Sequence, residues 1–460
     1  MQAHTLYYWL PSASQHFLIV ALSLLIYIVN ARARRERRAP AAAIAWVMGL
    51  ALLPYVMLPL YLLFGRRKVT APSQGPAPKL RVATHWADSL LSSFGLEPPA
   101  PANVRFHADG AAARDALWEL IESAGDTLDV CTFLIGNDGF GREVMARLTA
   151  RARAGVRVRL LRDGLFSMSE PHRALRALAA AGAQVGVFHP LLAPRRMGPR
   201  NLRNHRKCVV ADGARLWAGG RNFAAEYFTG DVGIEPWLDM SFDLDGPVAA
   251  AAGRQFTHDW EAARRHHDPR RHASHAVEAP TEGALAQFLP SGPDQDEDTA
   301  EALLVTACFR AQKRLLAITP YFVPETSVQQ ALNLAARRGV KVTLIVPAVS
   351  NHRLADFVRG RPLRELARAG AQVLMLPRMS HAKAVVVDDT LAMSGSVNID
   401  SRSLLLNYES AVLFYGRREI DWLADWINAR AAECRPFDPK PPGLVRDIAE
   451  GALLAVAFQI

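Results

Sequence analysis

One eighteen-residue pattern occurs twice in the chain and constrains the fold more than any other feature. The first copy runs from His205 to Asn222, the second from His381 to Asn398. In both, Lys follows His by two positions (Lys207, Lys383), Asp by seven (Asp212, Asp388), Gly by fourteen (Gly219, Gly395) and Asn by seventeen (Asn222, Asn398). Strand side chains alternate between faces, so His-x-Lys presents both groups on one face. Val209-Val210 and Val385-Val386-Val387 then carry the strand into a core. The Asp turns it, and a second strand returns to a Gly that lets backbone approach a ligand. Each hairpin thus gathers an imidazole, an ammonium and an amide about one point. That set suits a phosphodiester. Lys207, Asn222, Lys383, Asn398 and Ser396 would neutralise and hydrogen-bond its non-bridging oxygens while a histidine attacks phosphorus. One copy is half a site; two supply a nucleophile and, opposite it, an acid for the leaving group.

The duplication extends beyond the hairpins. Leu128 to Thr132 answers Leu316 to Thr319 as a core strand. Gly155-Val156 answers Gly339-Val340 at an offset of 184, and Ala181 to Val185 answers Ala369 to Val373 at 188. Each half reads strand, amphipathic helix, strand, helix, strand and then the hairpin, which predicts an α/β fold with a mixed sheet flanked by helices. Two such domains, 104–280 and 281–440, would face each other across one shared site. The Pro- and Ser-rich stretch 71–103 reads as a linker lying over the first domain. The tail 441–460 is apolar but carries Arg446, Asp447 and Glu450, so it is expected to dock on the catalytic body or lie in a membrane interface. The halves differ in one loop. Val185 to His205 is 20 positions and Val373 to His381 only 8, and the longer loop holds Arg195, Arg196, Arg200 and Arg203. It reads either as a solvated basic loop or as a collar for lipid phosphate. His266, His267, His272 and His275 lie between the halves with no cysteine or clustered carboxylate beside them, and read as an exposed loop rather than a metal site.

Before these domains, 1–70 holds two apolar segments, Leu6 to Val29 and Ala41 to Phe64. Both are long enough for the ~20 residues that a bilayer crossing needs, though Leu6 to Val29 is interrupted by polar residues before Phe17, and no Lys or Arg precedes Arg32 as a cleaved signal would require. Two uncleaved membrane helices are expected. Five basic residues lie between the segments (Arg32, Arg34, Arg35, Arg37, Arg38) and five follow the second (Arg66, Arg67, Lys68, Lys79, Arg81), so charge does not set the orientation. Pro54 and Pro59 allow the second segment to be kinked or re-entrant. A net charge of +10 fits nucleic acid or anionic lipid equally. The four cysteines are scattered, which predicts free thiols. Zinc spacings, Walker loops and dinucleotide fingerprints are absent, and no cofactor or metal is expected.

The paired pattern resembles the signature of the phospholipase D superfamily, H-x-K-x(4)-D-x(6)-G-G/S-x-N in duplicate. Asn204-His205-Arg206-Lys207, Trp237-Leu238-Asp239, Pro290 to Asp294, Thr319 to Pro324 and Asn398 to Ser403 are similar to the bacterial cardiolipin synthase branch. Leu238 departs from it, since many relatives carry Arg there. The resemblance implies two tandem phospholipase-D-like domains in a multi-pass protein of the bacterial inner membrane, with the catalytic domains on the cytoplasmic face. It implies phosphatidylglycerol as substrate, cardiolipin as product and no nucleic acid. It also implies that His205 is the nucleophile and His381 the general acid and then base; spacing alone assigns neither. Asp239 and Glu409, 34 and 28 positions beyond the histidines of their own halves, are the candidates for orienting an imidazole. Asp212 and Asp388 join the catalytic set as members of the motif. Each is an odd number of residues beyond its Lys, though, and so faces the other way and would support the hairpin. A hydrolase with water as acceptor, or a phosphatidyltransferase with another alcohol as acceptor, would use the same residues, and a catalytically silent binding scaffold would be free to lose them.

Overall fold

The computed structural model describes residues 12–34, 40–65, 83–167, 169–190, 201–264 and 283–454. The N-terminal part holds α1 (Ala13–Arg34), α2 (Pro40–Leu52), α3 (Pro54–Phe64), α4 (Trp86–Ser93) and β1 (Ala100–Ala102). The first half follows as β2 (Val104–His107), α5 (Gly110–Glu122), β3 (Thr127–Thr132), α6 (Gly139–Arg153), β4 (Arg157–Asp163), α7 (His172–Ala180), β5 (Gln184–Phe188), β6 (Cys208–Ala211), β7 (Arg215–Gly219), β8 (Ser241–Asp245) and α8 (Pro247–Arg264). The second half opens with β9 (Ala284–Ser291), α9 (Thr299–Arg310), β10 (Arg314–Ile318), β11 (Phe322–Val323), α10 (Thr326–Arg337), β12 (Lys341–Pro347), α11 (Arg353–Val358), α12 (Gly360–Arg368) and β13 (Gln372–Leu376). It closes with β14 (Ala384–Val387), β15 (Leu391–Gly395), β16 (Ile399–Asp400), α13 (Ser401–Leu405), β17 (Glu409–Phe414), α14 (Arg417–Ala431), β18 (Arg435–Pro436) and α15 (Leu444–Leu454).

The expected mixed sheet forms in both halves. The first is ordered β2-β8-β7-β6-β3-β4-β5. The second contains the equivalent run β9-β17-β15-β14-β10-β12-β13, with β1 added at one edge and β18 at the other. β3, β4 and β5 pair in parallel, as do β10, β12 and β13, because helices connect them; the motif hairpins β6–β7 and β14–β15 are antiparallel. The central strands are Val- and Leu-rich and buried along nearly their whole length, as strands covered on both faces should be. The largest hydrophobic cluster crosses between the halves, from Val210, Leu216 and Phe242 to Val385, Met393 and Phe414. Phe242 and Phe414 meet edge to face with ring centroids 5.3 Å apart. The halves share a core, which fixes the two hairpins relative to each other.

Three expectations are corrected. Among the described residues, α1 is the one helix long and apolar enough to cross a membrane, over Ala13–Arg32 with mean hydropathy 1.7. The second apolar segment is broken at Leu53 into helices of 13 and 11 residues. The residue before a proline avoids helical backbone, and Pro54 has no N–H to continue the α2 ladder but fits the first turn of a new helix. The C-terminal part of the linker does not lie over the first domain alone: Glu97 pairs with Arg254 and β1 packs on α8 of the first half, but its main pairing is elsewhere. α4 packs on α9, and β1 pairs with β9 (Ala100 opposite Ala286), both in the second half. Pro101 is tolerated there because β1 is an edge strand. Arg203 is buried, donating to Asp163 Oδ1 at 3.3 Å and to the His189 carbonyl at 2.7 Å, so it is no part of an exposed collar. Arg195, Arg196, Arg200 and the four histidines from His266 to His275 lie outside the described residues. The tail docks on the catalytic body as α15, which packs on α11 and α12. All four cysteines are free.

Candidate active site

Each motif histidine sits just before its hairpin, where the chain pairs with the opposite half. Asn204 bridges Tyr408, and the His205 N–H donates to the Tyr408 carbonyl at 2.8 Å. Leu238 bridges Ser380 in the same way, and the His381 N–H donates to the Leu238 carbonyl at 2.7 Å. These two bridges set the next residue along, Glu409 or Asp239, beside the histidine of the other half. Both oxygens of Glu409 lie 2.9 and 3.0 Å from His205 Nδ1, and Asp239 Oδ2 lies 3.3 Å from His381 Nδ1. Counting from the nearer motif pairs each carboxylate with its own histidine. In the fold the pairs cross, so neither half orients its own imidazole.

The environment sets the protonation. Burial is the strongest influence on both histidines and lowers His205 to about 4 and His381 to about 3, with the carboxylates opposing that fall. Burial alone would raise Glu409, but the charge and hydrogen bond of His205 and the nearby Lys207 outweigh it, and Glu409 ends below its ordinary value. Asp239 is likewise held low, by His381, Arg221 and Lys383 against the push of burial. An ionised carboxylate only accepts, so His205 carries its proton on Nδ1 and leaves the Nε2 lone pair free. His381 is less settled. Its Nδ1 also lies 2.9 Å from Lys383 Nζ, a donor that asks the opposite of the same nitrogen. Burial lowers Lys207 to about 7 and Lys383 to about 8. Asn222 and Asn398 each bury a side-chain oxygen position without a hydrogen-bond partner, and an amide can turn to present its NH₂ there. Together these groups can hold an anionic tetrahedral centre between two imidazoles.

Other members of the expected set sit elsewhere. Asp212 and Asp388 are at the far ends of β6 and β14, where they turn the hairpins with φ of 55° and 50°. Asp212 accepts from the backbone N–H groups of Gly125, Asp126 and Thr127, and Asp388 from those of Gln312, Lys313 and Arg314. They clamp the start of β3 and β10 rather than touch the reacting groups, which corrects their inclusion with the catalytic residues. Ser396 is also reassigned: its hydroxyl donates to Glu409 Oε2 at 2.5 Å instead of facing a phosphate.

Arg206 stands inside the motif without belonging to its repeated set. The alternation that brings His205 and Lys207 to one face sends Arg206 to the other, into the shared core. There it donates to the Glu409 carbonyl at 2.9 Å, to Asp259 on α8 at 2.5 Å and to Asp294 of the second half at 2.9 Å. His258, Asp259 and Asp294 bring ligand atoms within 4.8 Å of one another, but the guanidinium already serves both carboxylates. Aromatic rings close the walls: Phe133 stands 4.9 Å from the His205 ring, and Tyr227 stands 4.9 Å from the His381 ring. Period-two alternation and the placement of a charged residue just before a core strand are the signals that point to Arg206; nothing local marks the aromatics.

Comparison with known proteins agrees with this geometry. Residues 117–260 and 304–430 match the family described as cardiolipin synthase, PLD-like domain. Cardiolipin synthase A of Pseudomonas putida (strain W619) is 32% identical over 428 residues, which is 88% of this chain and 89% of that protein. Cardiolipin synthase A of Pseudomonas aeruginosa (strain LESB58) is 31% identical over 454 residues, 93% and 92% of the respective chains. The crystal structure of phosphatidylserine synthase from Haemophilus influenzae superposes on 80% of this chain and 96% of its own, with a TM-score of 0.58 at 15% identity, which speaks to the fold alone. With both halves matched and the relatives aligned over most of their length, the chain belongs to the cardiolipin synthase family of phospholipase-D-like proteins and is an enzyme of the phosphatidyltransferase kind.

Proposed function

We propose that the protein is a cardiolipin synthase that joins two phosphatidylglycerol molecules and releases glycerol. The observation that carries this reading is the crossed pairing of His205 with Glu409 and His381 with Asp239, which sets two differently prepared imidazoles about one buried point. His205 Nε2 attacks the phosphorus of the first phosphatidylglycerol. The bond from phosphorus to the glycerol oxygen breaks, and His381, neutral in the free enzyme, takes up a proton as the anionic phosphodiester arrives beside it and donates that proton to the departing glycerol. A phosphatidyl group then rests on His205 through a P–N bond. The free hydroxyl of a second phosphatidylglycerol loses its proton to His381 and attacks phosphorus, and the P–N bond breaks to give cardiolipin. One phosphodiester replaces another of similar energy, so no nucleotide is consumed.

The asymmetry between the histidines supports these roles. His205 is held by both oxygens of one carboxylate, as suits an imidazole whose other nitrogen must attack in line. His381 lies between an acceptor and a donor, which suits a group that gives a proton and takes one back. Lys207 and Lys383 are depressed by burial; an arriving phosphodiester supplies negative charge that raises them again and keeps them cationic. Lipid substrates also agree with an apolar α1, which would attach the protein to the bacterial inner membrane. The free cysteines suit catalytic domains on the reducing cytoplasmic side. The test is purified full-length protein in detergent micelles with labelled phosphatidylglycerol. Glycerol and cardiolipin should form in equal amounts; phosphatidic acid without cardiolipin would make the protein a hydrolase instead.

A further inference from the structure

We propose that the mouth of the cleft carries a bilayer-docking collar, made of apolar side chains at equivalent positions of the two halves and extended on one side by α15. The proposal rests on the lipid-transfer reading for its purpose, though not for its geometry. β4 and β12 are equivalent strands, starting at Arg157 and Lys341 with the same 184-residue offset that relates the flanking sequence. Both end on the side of the site. Asp163, the last residue of β4, accepts from the Asn204 N–H at 2.8 Å, one residue before His205. Beyond β12, Asn351 accepts from the Tyr321 hydroxyl at 2.6 Å, and Tyr321 lies within the electrostatic field of Tyr227, the ring against His381.

Two residues past each strand comes an exposed apolar side chain, Leu165 in the first half and Val349 in the second, at 39% and 70% exposure. Beside Leu165, the Phe166 ring lies 5.3 Å from Phe133, the ring that stands over His205. An internal duplication has therefore kept an apolar tip on both sides of the same opening. Each loop leads into a helix with an exposed arginine in its first turn, Arg173 in α7 and Arg353 in α11. Apolar tips followed at once by cationic side chains match the order of a membrane interface, acyl chains inside and anionic phosphates outside.

The C-terminal helix lengthens this surface. Leu453 and Leu454 pack on the small cluster of Val323, Ala355 and Val358 beneath Tyr321. Buried Glu450 pairs with Arg364 at 2.6 Å, which fixes how the helix is rolled. In that roll Leu444, Val445 and Ile448 point outward at 76%, 82% and 62% exposure. A helix pinned by a buried ion pair, with three branched apolar side chains held in water, calls for an apolar partner. The bilayer fits better than a second copy. A second copy seated on these loops would cover the opening through which lipid must come, whereas α1 is long and apolar enough to attach the same chain to a membrane.

The test uses the full chain reconstituted in vesicles of phosphatidylcholine with roughly a quarter phosphatidylglycerol, a composition that supplies anionic surface. Cysteines at Val349→Cys and Val445→Cys, each in a Cys434→Ser background that leaves only buried native thiols, carry an environment-sensitive fluorophore, with Lys313→Cys in the same background, at the opposite end of the second sheet, as the control. Labels at 349 and 445 should shift to the blue and be quenched by lipid brominated in its acyl chains, while the label at 313 stays as in water. Identical behaviour at all three sites, or shielding that follows protein concentration without lipid, would overturn the collar. Independently, Leu165→Asp, Val349→Asp and Ile448→Asp combined should cut turnover on vesicles about tenfold or more and leave micellar turnover within about twofold. Equal loss in both would also overturn it. Absence of any phosphatidylglycerol turnover by the unmodified protein in micelles would instead strike the lipid-transfer reading, and the fluorophores would still decide the collar.

Discussion

Glu409→Gln asks directly whether a carboxylate of the second half controls the nucleophile of the first. Glu409 meets His205 Nδ1 with both oxygens at 2.9 and 3.0 Å, and the pair is buried. The amide keeps the shape and one acceptor but loses the charge. A hydrogen bond to a charged group contributes about 1.5–3 kcal/mol, so the attacking imidazole should lose roughly 10- to 150-fold in rate, more if the ring also turns to the wrong tautomer. Glu409 opposes the effect of burial on His205, so its removal lowers the histidine further; the imidazole stays neutral but becomes a weaker nucleophile. The assay is a single-turnover experiment with glycerol-labelled phosphatidylglycerol, in which release of glycerol reports the first displacement. Glu409→Gln should slow that release by the stated factor. Asp239→Asn, which disturbs His381, should slow both proton-transfer steps, and Asp239→Asn combined with Glu409→Gln should be no worse than additive in free energy. Circular dichroism and thermal melting of each variant separate rate loss from unfolding. A folded Glu409→Gln protein that releases glycerol within about threefold of the parent would refute the crossed arrangement as a working one.

Other outcomes follow from the same geometry. Asp212→Ala removes the acceptor for three backbone N–H groups and should lower the melting temperature by an amount equal to roughly 1–3 kcal/mol, with kcat of the folded protein within about threefold; a collapse of kcat at unchanged stability would return Asp212 to the catalytic set. The reaction needs His205 neutral, both lysines charged and a proton taken up by His381, so kcat/KM should fall below pH about 4 and decline toward alkaline pH, through about 7–8, as Lys207 and Lys383 lose protons and His381 gains its own less readily. Bound phosphodiester raises the lysines, so the alkaline limb of kcat should lie at higher pH, and activity that keeps climbing through pH 9 would contradict this. His381→Ala should accumulate a phosphohistidine at position 205 detectable by mass spectrometry, and an adduct on His381 in the reciprocal His205→Ala protein with none at 205 would reverse the roles. Turnover should survive a strong chelator, because Lys207 and Lys383 neutralise the phosphate and the two asparagines hydrogen-bond it; loss restored by Mg²⁺ or Zn²⁺ would require ligands from outside that set.

The duplicated motif made much of the architecture legible. A period of two in His-x-Lys, apolar runs behind it and matched offsets along both halves are local signals, and local signals are enough to specify strands, helices and a repeated α/β unit. The facing of Asp212 and Asp388 was readable for the same reason, since an odd spacing from the lysine turns a side chain away from the site. Pro54 carried the break in the second apolar segment, although length and composition alone read it as one span.

The rest depended on contacts between residues far apart in the chain. No spacing rule reveals that Glu409 belongs to His205 and Asp239 to His381, because the bridges Asn204 to Tyr408 and Leu238 to Ser380 exist only once the two sheets share a core. The same holds for β1, whose composition reads as linker until the open edge of β9 offers it hydrogen bonds. Arg206 is an ordinary charged residue in the sequence and a buried tie between the halves in the fold. Proton positions follow the same division. Residue type and spacing supply two histidines and two lysines, but burial and crossed carboxylates set which of them are neutral, because desolvation is a property of the packed cleft and not of the chain.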